Sequence, residues 1–218
     1  MKKGKIIVIE GACDGIGKTT QFELLKERLE KEGKVVTHHF PSYNTIQGKL
    51  VEEYLSGNLG DKSNISPYIV HDLYAIDRAI TWNKVLKEEY ENGSIILLDR
   101  YTTSSEFYQS VFMDNKEEFI NFVEDYEYNK LMIGKPDLVI FLNAPFDVVT
   151  RFRSERKENE GIKNDIHEKD IDFMKKVYDN GQMVSKYLNW SIIDVSEGNN
   201  FKDKKEIHEE IYNLVKKL

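Results

Sequence analysis

Four groups of residues carry the chemistry in this 218-residue sequence. The first is Ala12-Cys13-Asp14-Gly15-Ile16-Gly17-Lys18-Thr19-Thr20, which follows the apolar run Ile6 to Ile9 and Glu10-Gly11. Glycines there let backbone N–H groups turn inward toward an anion, and a helix opening near Lys18 adds its positive dipole end. Lys18 supplies a mobile charge for outer phosphates, and Thr19 supplies a hydroxyl for Mg²⁺. The strand–loop–helix order is that of a phosphate-binding loop for a nucleoside polyphosphate. Its spacing is irregular: four residues back from Gly17-Lys18-Thr19 the position is Ala12, so the loop after Gly11 is one residue long of the common form. Cys13 is either a low-pKa thiol before a helix or a small inert filler.

The second group is Asp99-Arg100, directly after the apolar run Ser94 to Leu98. Ligands of open parallel sheets sit at carboxyl strand ends, so these charges emerge beside the phosphate loop. Tyr74 and Arg78, four apart on a helix, form the third group and share a face. Arg151, Arg153 and Arg156 form the fourth. They end a helix that leads into the polar stretch 158–165, which reads either as a phosphate-closing lid or as a solvated charge run. Adjacent strand residues point to opposite faces, so His38 and His39 read as strand-end histidines rather than a metal pair.

These groups need a scaffold. Helical spacing covers Gln21 to Glu32, Gln47 to Leu55, Pro67 to about Glu91, Ser104 to Val111, Lys116 to Leu131, Phe146 to Lys157, His167 to Leu188 and Asp203 to Leu218. In the long helix from Pro67, Ile69, Ile76 and Val85 fall on the apolar side with Val70, Ala75 and Leu86. Strands fall at Lys5 to Glu10, Val35 to Phe40, Ser94 to Leu98, Leu138 to Leu142 and Ser191 to Val195. Their alternation with helices predicts an α/β fold: a five-stranded parallel sheet with helices on both faces and a short lid at roughly 151–166.

Length favours one domain, residues 1–218. A net charge of −7 argues against long nucleic acid as a partner. No apolar run reaches the ~20 residues of a membrane span. One cysteine excludes an internal disulfide and fits the cytoplasm.

The chain resembles the thymidylate kinases, of the P-loop nucleoside monophosphate kinase class. The matching pieces are Glu10-Gly11 through Thr20 with Asp14-Gly15, Phe40-Pro41-x-Tyr43, Tyr74-Ala75-Ile76-Asp77-Arg78, Asp99-Arg100-Tyr101-x-x-Ser104-Ser105-x-x-Tyr108-Gln109, Lys135-Pro136-Asp137 and Asp165-x-His167-Glu168. The match runs nearly end to end.

The resemblance implies transfer of the ATP γ-phosphoryl to dTMP with Mg²⁺, in dTTP biosynthesis, by a cytoplasmic homodimer. It implies that Asp14 faces the acceptor 3′-hydroxyl and helps organise Mg²⁺, and that Phe40 and Tyr43 line the acceptor site. Tyr74 would stack on the base, Arg78 donate to its O4, and Ser104 and Ser105 reach its edge. Tyr108 would crowd C2′, and Arg100 would clamp the acceptor phosphate. Asp99 would hold Mg²⁺, with Glu10 behind it. Positions 15 and 16 are Gly and Ile, so the transition-state arginine is expected from the lid, with Arg156 first. Ser42 stands where members often carry arginine, and Asn143 where aspartate is common. The rival readings are a kinase for another nucleoside monophosphate or a deoxynucleoside, and a nucleotide-binding module without turnover. A GTPase lacks its guanine reader here, because Asn83-Lys84 and Asn129-Lys130 are followed by apolar residues.

Overall fold

Ile6, Ile7, Val8 and Ile9 are apolar on both faces of an extended chain, so their strand has to be covered on both sides. In the computed structural model that strand, β1 (Lys5–Gly11), lies at the centre of the sheet. The structure describes residues 3–11, 13, 15–60, 64–160 and 170–218, with backbone alone at 155–160. After β1 come α1 (Lys18–Leu29), β2 (Val35–His39), α2 (Ile46–Leu55), α3 (Pro67–Thr81), α4 (Lys87–Glu91), β3 (Ile95–Asp99) and α5 (Thr102–Tyr108). Then follow α6 (Lys116–Glu124), β4 (Leu138–Asn143), α7 (Phe146–Glu160), α8 (Ile171–Tyr187), β5 (Ser191–Asp194), a small hairpin of β6 (Ser196–Glu197) and β7 (Asn200–Phe201), and α9 (Lys204–Val215).

The main sheet has five parallel strands in the order β2-β3-β1-β4-β5. Strand alternation divides the core. Ile7, Ile9 and Leu97 pack with Leu25 of α1, Val177 of α8 and Ile211 of α9. Ile6, Val8, Ile96 and Leu98 pack with Trp82, Leu86 and Ile133 on the other face. Such fully buried side chains each contribute roughly 1.5–3 kcal/mol. The expected fold is therefore present, with helices on both faces.

Three expectations are corrected. The helix from Pro67 is interrupted by a π-helical turn at Trp82–Leu86, and the one from Lys116 becomes π-helical at Asp125–Lys130. The extra residue in such a turn shifts the helical phase. Trp82 and Leu86 stay buried while Val85 is turned outward, and Ile69 and Ile76 are also exposed. The β6–β7 hairpin carries no apolar period and went unseen in the sequence. The helix expected from His167 starts at Ile171, where Asp170, extended at φ −110° and ψ 95°, caps it by accepting from the Phe173 N–H at 2.9 Å; residues 161–169 lie outside the described chain. Asp203 does cap α9, its carboxylate accepting from the Lys205 N–H at 2.8 Å.

Candidate active site

β1 ends in the phosphate loop, and α1 leaves it. Gly17 opens that helix with φ 93°, and Gly15 has φ 87°, both in the region that disfavours side chains. No described side chain caps the first turn of α1, and uncapped N–H groups at a helix start are the donors an anion site uses. Lys18 is buried, while Thr19 and Thr20 are exposed. Cys13 is only 2 % exposed and packs in the core with Ile16, a burial that favours the filler reading over the reactive thiol. Ala12 and Asp14 lie outside the described residues.

Asp99 closes β3 beside this loop. One carboxylate oxygen, Oδ2, pairs with His39 Nδ1 at 2.9 Å; the other, Oδ1, is buried without a hydrogen-bond partner. Burial pushes this carboxyl's pKa up, but the His39 bond and the charges of Lys18 and Arg100 bring it below the usual value. It is a buried anionic oxygen whose charge a bound cation would pair. Arg100 follows with φ 65°, a strained conformation for a side-chain-bearing residue that costs on the order of 1–3 kcal/mol. Its guanidinium lies 5.7 Å from the centre of the Tyr108 ring.

A cavity of about 200 Å³ lies next to these charges. Phe40, Tyr43, Tyr74, Arg78, Arg100, Ser104, Ser105 and Tyr108, expected from separate parts of the sequence, all line it. The two serine hydroxyls differ in what they have left to offer. Ser104 Oγ donates to Glu10 Oε1 at 2.6 Å, as Thr103 does at 2.8 Å, so the Ser104 O–H is spent on Glu10 and its lone pairs remain. Glu10 is fully buried and ties the start of α5 to β1. Ser105 Oγ accepts from Arg78 Nη2 at 2.8 Å and keeps its own O–H to donate.

Arg78 is 1 % exposed. Glu127, in the second π-helical turn, takes its Nε and Nη2 in a fork, both at 2.7 Å. Nη1 donates to the Tyr101 carbonyl at 3.3 Å. With Ser105, these four bonds leave one guanidinium hydrogen, on Nη1, on a side chain that lines the cavity. Burial raises the Glu127 pKa against the opposing pull of Arg78. His71 sits 3.8 Å from Glu127 among Phe119, Phe122 and Tyr126. Burial first, and then the Arg78 charge, lower its pKa to about 3.

The three arginines of α7 separate. Arg151 donates to the Asn199 carbonyl in the β6–β7 hairpin, with its guanidinium 4.9 Å from the Phe152 ring centre. Arg153 packs against the phosphate loop: a Cβ added at Gly15 would lie 3.2 Å from its own Cβ. The Arg156 side chain, residues 161–166 of the expected lid, and Asp165, His167 and Glu168 lie outside the described residues.

Ser42 points inward. Its N–H donates to Asp77 Oδ2 at 2.7 Å, and its Oγ bonds His38 Nε2 at 2.8 Å and Thr81 Oγ1 at 3.2 Å. Asn143 links Asp194 and Gln182, both at 2.6 Å. Sequence reasoning missed His39 and Glu127. Only strand pairing brings His39 opposite Asp99, and Glu127 lies 49 residues from Arg78.

Residues 9–211 match the family model described as thymidylate kinase. A probable thymidylate kinase of Methanocaldococcus jannaschii is 33% identical, covering 100% of this chain and 99% of its own length. Probable thymidylate kinase 1 of Saccharolobus solfataricus is 34% identical over 98% and 97%. Among solved structures, the thymidylate kinase from Candida albicans superposes with a TM-score of 0.74 over 99% of this chain and 92% of its own, at 24% identity, and so supports the fold.

Proposed function

The chain belongs to the thymidylate kinase family, and on that premise we propose how its residues perform the reaction. The protein phosphorylates dTMP to dTDP with ATP as donor, a step of nucleotide biosynthesis. Residues 1–218 act as one kinase domain with a lid near 151–166.

A loose phosphoryl-transfer transition state needs positioning and charge neutralisation more than covalent help. Lys18 and the N–H groups of α1 hold the donor phosphates. Arg100 clamps the acceptor phosphate, where a planar fork outperforms an ammonium. Its strained backbone is consistent with that role. Tyr74 stacks on the thymine, and the remaining Nη1 hydrogen of Arg78 reads O4. Tyr108 excludes the 2′-hydroxyl of ribose, and Phe40 and Tyr43 complete the wall. Arg153 serves the transition state from α7, with Arg156 beyond it, and Asp14 faces the sugar.

Asp99 and Thr19 would hold Mg²⁺, with Glu10 behind them. The orphaned, buried Oδ1 of Asp99 fits that assignment. The ion, when bound, neutralises charge on the β- and γ-phosphates.

The same reading includes a homodimer, for which Ile69 and Ile76, exposed one above the other on α3, offer an apolar face. It also includes a cytoplasmic enzyme with neither membrane nor long nucleic acid as partner. Among the described residues no helix is long and apolar enough to cross a membrane.

The single observation behind the acceptor reading is the cavity wall that gathers Tyr74, Arg78, Arg100 and Tyr108. Its test is ADP release at fixed ATP-Mg with a panel of monophosphates and thymidine. dTMP should lead, dUMP should follow as a weaker substrate, and dCMP, purine monophosphates and thymidine should trail far behind. A purine monophosphate or thymidine in first place would overturn it.

A further inference from the structure

We propose that His39 is a positioning residue for Asp99, fixing one carboxylate oxygen so that the other remains available to the metal of the bound nucleotide. The inference rests on the kinase reading above.

His39 ends β2 and Asp99 ends β3, and the two are register partners in the parallel ladder. Their side chains meet at the carboxyl edge of the sheet, where the Nδ1–H of the imidazole donates to Oδ2 at 2.9 Å. Oδ1 is buried and has no hydrogen-bond partner. A buried carboxylate oxygen left unbonded is unfavourable, so the side chain is under pressure to rotate toward any donor in reach. Two cations act on it, Lys18 and Arg100. The mechanism needs both of these on phosphates. Held at Oδ2, the carboxylate cannot turn to collapse onto either one. The imidazole thus holds the carboxylate by Oδ2 and keeps Oδ1 for the incoming ion or its water.

A plain cross-strand pair, tying edge strand β2 to β3, would produce the same contact but serve stability alone. The His39 side chain is half exposed, at 52 %, so replacing it should leave the core intact and the two roles can be separated. The variants are His39→Leu, which removes the donor while keeping bulk, and His39→Asn, whose Nδ2 is close to where Nδ1 stands.

Mn²⁺ binding to the enzyme–ADP complex, read from the free-ion paramagnetic resonance signal, needs no turnover. His39→Leu should weaken Mn²⁺ binding and lower kcat, each by about 10-fold or more, as loss of an outer hydrogen bond to a metal ligand does. Thermal unfolding should change little. His39→Asn should recover most of both losses. Wild-type Mn²⁺ affinity in His39→Leu would overturn the proposal. So would a His39→Asn variant no better than His39→Leu, or a loss confined to thermal stability. If the wild-type enzyme fails to phosphorylate dTMP, the functional reading falls instead, and the Mn²⁺ titration still decides the role of His39.

Discussion

On the proposed function, Lys18 supplies charge to the donor side of the reaction. It is buried at the start of α1, its field felt by Asp99. Lys18→Ala should lose several kcal/mol of barrier stabilisation, on the order of 10²-fold or more in kcat. Near-wild-type turnover with unchanged thermal unfolding would refute the phosphate-loop assignment. The arginines make a sharper residue-scale comparison. The sequence ranked Arg156 first because it lies nearest the polar stretch. The structure brings Arg153 against Gly15 and commits Arg151 to the Asn199 carbonyl. Arg153→Ala should therefore lower kcat much more than it raises the KM for ATP, whereas Arg151→Ala should affect both only mildly. Equal kcat values for the two variants would break that ordering.

Between elements, the acceptor wall depends on how the segment after β2 is fastened to α3. Asp77 receives the Ser42 N–H, and Ser42 bridges His38 and Thr81, so Phe40 and Tyr43 flank a buried polar clasp. Asp77→Ala leaves that N–H buried and unpaired, a loss of about 1–3 kcal/mol. The KM for dTMP should rise clearly more than the KM for ATP; a parallel rise in both would mean the clasp does not serve the acceptor site.

This clasp also shows where sequence reading stops. Periodicity finds an element whose apolar face is simple, as in β1 and β3. It finds the phosphate loop and the Asp99-Arg100 corner because their chemistry is contiguous in the chain. It misses the π-helical turns, where one extra residue changes the phase of the apolar side and sends Val85 outward. It also misses contacts that exist only across strands or between distant helices, such as His39 with Asp99 and Glu127 with Arg78.

At the scale of the whole molecule, two buried groups set opposing pH dependences on stability. Burial, followed by the carboxylates of Glu124 and Glu127, raises the Glu106 pKa well above normal. Its share of stability is present below the unfolded carboxyl range, near pH 4.5, and is lost as pH rises toward the folded value. His71 works the other way. With a pKa of about 3 in the fold against 6.5 unfolded, its share is intact above pH 6.5 and declines as pH falls, by about 1.4 kcal/mol per unit. Glu106→Gln should accordingly raise Tm at pH 7 and have a smaller effect near pH 4.5. A Tm lowered equally at both would contradict that sign.

On the proposed function, this pocket selects thymine through Arg78. Arg78→Ala alone would strand Glu127 as an uncompensated buried charge, with a loss of roughly 3–5 kcal/mol, so selectivity and folding would be confused. The pair Arg78→Met with Glu127→Gln removes the charge together with its partner. The deciding measurement is kcat/KM for dTMP and for dCMP at fixed ATP-Mg, in wild type and in this double variant. Thymine offers an O4 acceptor where cytosine offers an amino donor that a guanidinium cannot pair. The wild-type enzyme should prefer dTMP by about 10-fold or more, and the double variant should lose most of that preference. A dTMP-to-dCMP ratio unchanged in the double variant, or dCMP outrunning dTMP in the wild type, would contradict it.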